Sequence, residues 1–196
     1  MKLKLFALGI LFLIAIVSFL PALALAQNET EEVTEEEQNA IDENKKYIAI
    51  GALIAMGMSG ILSAVALGLT GSAAVGVVSE KDEYFGKAII LQVLPMTQGI
   101  YGLVAAMLLL VGSGFFGGEV ASDGALGAVA IAIGLVVGLT AVSAIPQAQA
   151  ASAGISSIPR NPDAAGKSVI LAAMPETMAI FGLLVAIILM LGVGIL

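Results

Sequence analysis

The chain has 196 residues, 59% of them hydrophobic and 12% charged, against about 25% charged in an average soluble domain. This is the composition of an integral membrane protein, and the absence of cysteine and histidine excludes disulfides, zinc centres of the usual nitrogen and sulfur type, and histidine acid–base catalysis. The net charge of -7 does not imply a basic partner, because eight of the fifteen acids lie between Glu29 and Glu43, and nothing here is basic enough for nucleic acid.

At the start of the chain, Lys2 and Lys4 form a positive head, Leu5 to Leu20 an apolar core, and Pro21 with Ala24-Leu-Ala26 a small-residue cleavage pattern. Residues 1–26 therefore read as a signal peptide cut after Ala26. The alternative is an uncleaved first helix, since the apolar run is near the lower spanning limit of about 17 residues. Either way residues 27–46 fall outside the cytoplasm, as an acidic segment that is disordered or a frayed helix. Within it Asn28-Glu-Thr30 fits a glycosylation sequon.

Four apolar spans follow, predicted at 47–78, 86–116, 125–157 and 166–196. A helix of about 30 residues is near 45 Å long, more than a hydrocarbon core of about 30 Å, so each projects beyond the bilayer. The spans pair into a first helical hairpin, 47–116, and a second, 125–196. The connections at 79–86 and 159–166 carry Lys81 and Arg160 and lead to Lys87 and Lys167, whereas Phe116 to Gly124 has no positive charge. The positive-inside rule then makes both hairpin turns cytoplasmic and the N-terminus and middle loop external, with Lys45 and Lys46 a mild exception.

The hairpins are copies of one another. Gly86-Lys-Ala-Ile-Ile-Leu-Gln-Val-Leu-Pro95 lies over Gly166-Lys-Ser-Val-Ile-Leu-Ala-Ala-Met-Pro175, Tyr101-Gly-Leu103 over Phe181-Gly-Leu183, and Gly76-Val-Val-Ser79 over Gly154-Ile-Ser-Ser157. Both halves run out, in and out again, a parallel duplication, and side-by-side contacts of one kind close into a ring. Gly60, Ala64, Gly68, Ser72 and Gly76 form a small-residue ridge suited to close helix packing. The third span carries a broken version in Gly134, Gly138, Ala150 and Gly154, interrupted by Pro146. The fold class expected is an all-α membrane protein of four transmembrane helices, two tandem parallel hairpins that assemble into a homo-oligomeric ring.

Glu176 is the one carboxylate within the apolar spans, and no cationic side chain lies at its depth to neutralise it. An ionised carboxylate in a bilayer costs several kcal/mol or more, so it is kept with a proton, a bound cation or a water path. In the second span Leu94, Thr97, Gln98 and Tyr101 fall at i, i+3, i+4 and i+7, on one helical face. Pro95 deprives the Leu91 carbonyl of its partner and loosens the local turn, freeing carbonyl oxygen as a ligand, and Pro175 does the same before Glu176. The repeat lays Met96 on Glu176, so the duplicated unit carries one carboxylate. Thr97 and Gln98 also fit plain hydrogen bonding between helices, and Tyr101 an interfacial aromatic. Gln147 and Gln149 face the same choice, while Ser143 and Ser152 read as caps of local carbonyls.

Leu94-Pro-Met-Thr-Gln-Gly-Ile-Tyr-Gly102 and Ala173-Met-Pro-Glu-Thr-Met-Ala-Ile-Phe-Gly182 resemble the two half-motifs of the duplicated proteolipid, the rotor-ring K subunit, of V-type and archaeal A-type rotary ATPases, over residues 47 to 196. The resemblance implies a rotor-ring component that couples ion flow to ATP synthesis or hydrolysis in a separate head. Itself non-catalytic, it would have no organic cofactor. It implies a Na+ (or H+) site made by Glu176, Thr97, Gln98, Gln147 and the backbone carbonyl of Leu94, with Tyr101 hydrogen-bonded to Glu176. Gln149 is the competitor for the third-span position if the register slips after Pro146. Expected partners are identical subunits, a membrane stator subunit supplying an Arg, a central stalk at 79–86 and 159–166, and the lipid of the cytoplasmic membrane. An anionic oxygen among several neutral ones suits a hard cation such as Na+, whereas H+ needs the carboxylate alone. Two rivals are a four-helix ion-coupled exchanger, which should present aromatics around a central cavity although Trp is absent, and a structural pore, which needs no aligned Thr, Gln, Tyr and Glu.

Overall fold

The computed structural model describes residues 34–122 and 124–196. The expected signal peptide, its cleavage site and the sequon at Asn28 lie outside the described residues. Among the described residues four helices are long and apolar enough to cross a membrane, at Glu35–Val78, Asp82–Gly112, Gly124–Ser157 and Ala164–Gly192.

The first of these, α1 (Glu35–Val78), is one unbroken helix of 44 residues, about 66 Å at 1.5 Å per residue. It starts inside the acidic segment. Thr34 and Glu37 form a reciprocal capping box, and Glu35, Glu36 and Glu37 occupy the first turn, where the helix dipole favours negative charge. Residues 35–46 form the first turns of α1, so of the two expectations for this stretch, disorder or a helix, the structure shows the helix. The string Thr34-Glu-Glu-Glu37 is itself a capping signature and was the available signal. The same end of α1 is tied to the middle loop: buried Asn44 donates through Nδ2 to Ala121 O at 2.8 Å and accepts from Gly127 N at 3.1 Å.

The other three spans are broken near mid-length. The second comprises a 3₁₀ turn at Asp82–Tyr84, α2 (Phe85–Gln92), a 3₁₀ turn at Leu94–Met96 and α3 (Thr97–Gly112). The third is α4 (Gly124–Thr140), a 3₁₀ turn at Ala141–Ser143 and α5 (Ala144–Ser157). The fourth is α6 (Ala164–Ala173), then Met174 and Pro175, then α7 (Glu176–Gly192). Each break lies at or just before a proline, Pro95, Pro146 or Pro175, and α1, which has none, runs through. A proline offers no N–H to the carbonyl four residues back, so the ladder is interrupted there.

Both hairpins end in the same backbone motif. Gly114 and Gly194 adopt φ of 74° and 70°, the left-handed conformation that glycine takes without strain. At the first, Phe115 N donates to Leu110 O and Gly114 N to Val111 O; at the second, Ile195 N donates to Met190 O and Gly194 N to Leu191 O. These are the paired bonds of a Schellman cap. They fall at corresponding positions of the repeat, so the duplication extends to the helix stops. They also end the second and fourth helices at Gly112 and Gly192, four residues short of the predicted limits 116 and 196.

Packing of the hairpins centres on α1, which lies against α3, α4 and α5. Near its N-terminal end a core forms around Ile48, Leu109, Ile133 and Met190. Near the hairpin turns a second core forms around Tyr84, Leu91, Ile155 and Ile158. Gly134 faces Gly51 backbone to backbone, and a Cβ on Gly138 would stand 2.9 Å from Met58 Sδ. The third-span glycines are thus spent on contacts inside the chain. The ridge of α1 is not: a Cβ added at Gly68 or Gly76 would meet nothing within 4 Å, and Ala64, Gly68, Ser72 and Gly76 are at least partly exposed.

Candidate ion-binding site

The three proline breaks bring the polar residues of the spans to one level between the hairpins. At the first break the structure differs from the loosened turn expected: the backbone tightens into 3₁₀ geometry, with Met96 N donating to Val93 O. Its carbonyls are taken up by hydroxyls. Thr70 Oγ1 donates to Gln92 O at 2.9 Å, Ser63 Oγ to Pro95 O at 2.5 Å and Thr97 Oγ1 to Leu94 O at 3.0 Å. Ser63 and Thr70, both buried on α1, were not singled out from sequence. Hydroxyls seven residues apart on the helix facing a proline were the signal available.

Glu176 is the first residue of α7, and the N–H groups that follow it bond back across the break, Thr177 N to Met174 O and Met178 N to Pro175 O, both at 3.3 Å. Its carboxylate is half-buried and receives a hydrogen bond on each oxygen. Tyr101 Oη donates to Oε1 at 2.7 Å, and Gln147 Nε2 donates to Oε2 at 3.3 Å. Gln147 Oε1 in turn accepts from Gln98 Nε2 at 2.6 Å. Both amides are 0% exposed, so each would carry a full desolvation penalty without the other. Thr97 Oγ1 also lies 3.3 Å from Gln98 Oε1, which clusters three neutral oxygens, those of Leu94, Thr97 and Gln98, around one point.

The six residues expected at the site are therefore together, four from the first hairpin and two from the second. Gln149 is exposed, which leaves Gln147 as the third-span amide facing Glu176. Ser143 and Ser152 do not cap local carbonyls as expected: their hydroxyls, with that of Ser59, are buried with no hydrogen-bond partner. At the third-span break Thr140 takes that part, donating to Val136 O at 2.7 Å and to Val137 O at 3.1 Å. Among the described residues the one ion pair joins Lys81 and Glu83 in a hairpin turn, so no cationic side chain neutralises Glu176. One carboxylate set among neutral oxygens is the donor chemistry of a small hard cation.

The family described as the C subunit of ATP synthase matches the chain twice, at residues 50–109 and 131–189. The chain is 48% identical over 145 residues to the A-type ATP synthase subunit K of Methanocaldococcus jannaschii, a match covering 74% of this chain and 63% of that protein. It is 41% identical over 134 residues to the V-type sodium ATPase subunit K of Enterococcus hirae, covering 68% and 83% of the two chains. A shorter similarity, 29% identity over 65 residues, covers 33% of this chain and 42% of the 16 kDa proteolipid of the Homo sapiens V-type proton ATPase. The two family matches fall on the two hairpins, each with a proline break in its second helix and a Schellman cap after it, and the chain belongs to the family of the ATP synthase C subunit, whose unit it carries in duplicate.

Proposed function

We propose that the chain is a rotor proteolipid of an A/V-type ATPase, carrying Na+ on Glu176 as a ring of identical copies turns in the membrane. The observation that carries this reading is the pair of hydrogen bonds from Tyr101 and Gln147, one from each hairpin, to Glu176 within the apolar spans. Gln147 bonds in turn to Gln98, whose amide oxygen neighbours those of Thr97 and Leu94. The sodium ATPase in the name of the Enterococcus relative supports the choice of ion.

In this reading the loaded cation cancels the charge of Glu176, and the neutral site can pass along the lipid face. Loading replaces the Gln98 to Gln147 bond with oxygen coordination and leaves Tyr101 to orient the carboxylate. Unloading exposes the anion, which an Arg of a stator subunit holds. The hairpin turns at 79–86 and 159–166 face the cytoplasm and meet a central stalk, with the N-terminus external. ATP chemistry belongs to other subunits, and residues 1–26 act as a cleaved leader.

The test is labelling of Glu176 by dicyclohexylcarbodiimide in purified rings, across pH, with sodium or potassium added. The reagent needs the protonated carboxyl. Protection by sodium and not by potassium, strongest at high pH, is the expected result. Labelling that follows pH alone makes the rotor a proton carrier, and a Glu176 that never labels removes the carrier role.

A further inference from the structure

Thr140, Ser143 and Gln147 stand at i, i+3 and i+7 of the third span, on one helical face. α7 runs along this stripe in the opposite direction: a Cβ added to Gly182 would collide with Thr140 Oγ1, and Gln147 donates to Glu176, six residues before Gly182. Ser143 lies between these two contacts, in the 3₁₀ turn Ala141–Ser143, which packs against α1, α3 and α7. Its neighbours on the stripe are both engaged, Thr140 with Val136 O and Val137 O, and Gln147 at both ends of its amide. Ser143 is 8% exposed, and its Oγ has no hydrogen-bond partner, although a buried serine can donate to the carbonyl one turn back.

A glutamine amide offers an acceptor oxygen on one side and a nitrogen with two donors on the other. Here Gln147 turns its nitrogen to Glu176 and its oxygen to Gln98. Such an arrangement suits a bare carboxylate, because an N–H donor stabilises the anion and opposes a cation placed beside it. Gln98 needs no change on loading, since its Oε1 already neighbours Thr97 Oγ1. For Gln147 to present oxygen, its amide has to turn over and its nitrogen has to leave the carboxylate. Gln147 is 0% exposed, so that nitrogen then needs an acceptor within the bundle or loading carries the penalty of a buried, unpaired donor. Helical side chains lean towards the N-terminus, over the residue four positions back. For Gln147 that residue is Ser143.

We propose that Ser143 Oγ accepts the amide nitrogen of Gln147 when the cation binds, so that Gln147 donates to Glu176 before loading and to Ser143 after it. The inference deepens the sodium-carrier reading and rests on it. Ser143 is a positioning residue: it acts through Gln147, holding the amide with its oxygen towards the ion. The other two buried hydroxyls without partners have no such relation to Gln147. Ser59 stands on α1 against α3, where a Cβ added to Gly102 would lie 2.7 Å from its Oγ, and Ser152 follows Gln147 by five residues, on another face.

The experiment compares purified rings of Ser143→Ala with rings of Ser59→Ala and Ser152→Ala. Two quantities are read: the sodium concentration that halves carbodiimide labelling of Glu176, and the temperature of ring dissociation with and without sodium. Ser143→Ala should need about five- to tenfold more sodium, as expected for an amide left without its acceptor. Without sodium its rings should dissociate at the wild-type temperature or above, because no hydrogen bond of Ser143 is lost. The other two variants should keep the wild-type sodium dependence. An unchanged sodium dependence in Ser143→Ala overturns the proposal, as does equal weakening by Ser59→Ala. A loss of stability that is the same with and without sodium also overturns it, since the hydroxyl then serves the fold alone. A double-mutant cycle gives a second measurement: once Gln147 is replaced by Leu, Ser143→Ala should raise the sodium requirement no further, and additive effects count against the coupling. Wild-type rings that sodium fails to protect would remove the sodium reading and this inference with it. Wild-type protection that survives unchanged in Ser143→Ala sinks this inference alone.

Discussion

Gln98 and Gln147 come from different hairpins and share a 2.6 Å hydrogen bond between two fully buried amides. That bond links the oxygen cluster at the start of α3 and the turn before it to the carboxylate on α7, because the other end of Gln147 donates to Glu176. Replacing Gln147 with Leu strips one donor from Glu176 and leaves the Gln98 amide unpaired, a cost of about 1–3 kcal/mol for a buried polar group. Sodium protection of Glu176 should then need at least tenfold more sodium, and rings should dissociate at a lower temperature. The Gln98→Leu/Gln147→Leu double variant should regain stability, since no orphan amide remains, without regaining sodium protection. Titrating labelling rate against sodium in the three variants separates the two effects.

Tyr101 contributes the shorter bond to the carboxylate, 2.7 Å from Oη to Oε1. Tyr101→Phe keeps the ring and removes only the hydroxyl. Glu176 then keeps Gln147 as its hydrogen-bond donor and turns outward more freely. The expected result is carbodiimide labelling several-fold faster at a given pH, with ring assembly unchanged. Labelling at the wild-type rate would show that Tyr101 does not restrain the carboxylate.

The sequence made the site more legible than the backbone that builds it. Glu176 stands out because an acid in an apolar span is costly, and the i, i+3, i+4, i+7 spacing of Leu94, Thr97, Gln98 and Tyr101 holds although the 3₁₀ turn ends just before Thr97. Spacing survives because the break tightens the helix locally and leaves the face intact. Gln147 and Gln149 could not be separated by their own pattern; the exposure of Gln149 comes from how α5 packs on α1. The hydroxyls were harder still. Serine and threonine bond whichever carbonyl lies nearest, and a carbonyl freed on α2 or in the following 3₁₀ turn is near Ser63 and Thr70 only after the hairpin has folded. For Ser143 and Ser152 the local rule failed because neighbouring helices, not the helix ladder, set their surroundings.

Asn44 tests whether the external end of α1 is structural rather than part of ion handling. Its side chain bridges Ala121 O and Gly127 N, joining α1 to the loop between the hairpins and to the first turn of α4. Asn44→Ala removes both bonds from a buried position, a loss of about 1–3 kcal/mol. Faster proteolysis of the loop at 116–124 and a lower dissociation temperature are expected. The sodium dependence of Glu176 labelling should not change, because the clamp and the site belong to different layers of the bundle.

Ser63 connects the unbroken helix to the broken one. Its hydroxyl donates to the Pro95 carbonyl, between Leu94, whose own carbonyl is a proposed ligand, and Thr97. Ser63→Ala barely changes volume, so its effect isolates the hydrogen bond. A buried carbonyl without a donor costs about 1–3 kcal/mol, and the 3₁₀ turn at Leu94–Met96 can relieve this by rotating Pro95 O toward another donor. That rotation swings the adjacent Leu94 carbonyl out of the oxygen cluster. The expected outcome is a several-fold loss of sodium protection at Glu176 although Ser63 touches none of the side chains there. The comparison is Thr70→Val, which removes the hydroxyl that donates to Gln92 O, on the far side of Val93 from Leu94. It should cost stability with little effect on the ion. If both variants weaken sodium protection equally, the turn behaves as one rigid piece and no local rotation of Pro95 is at work.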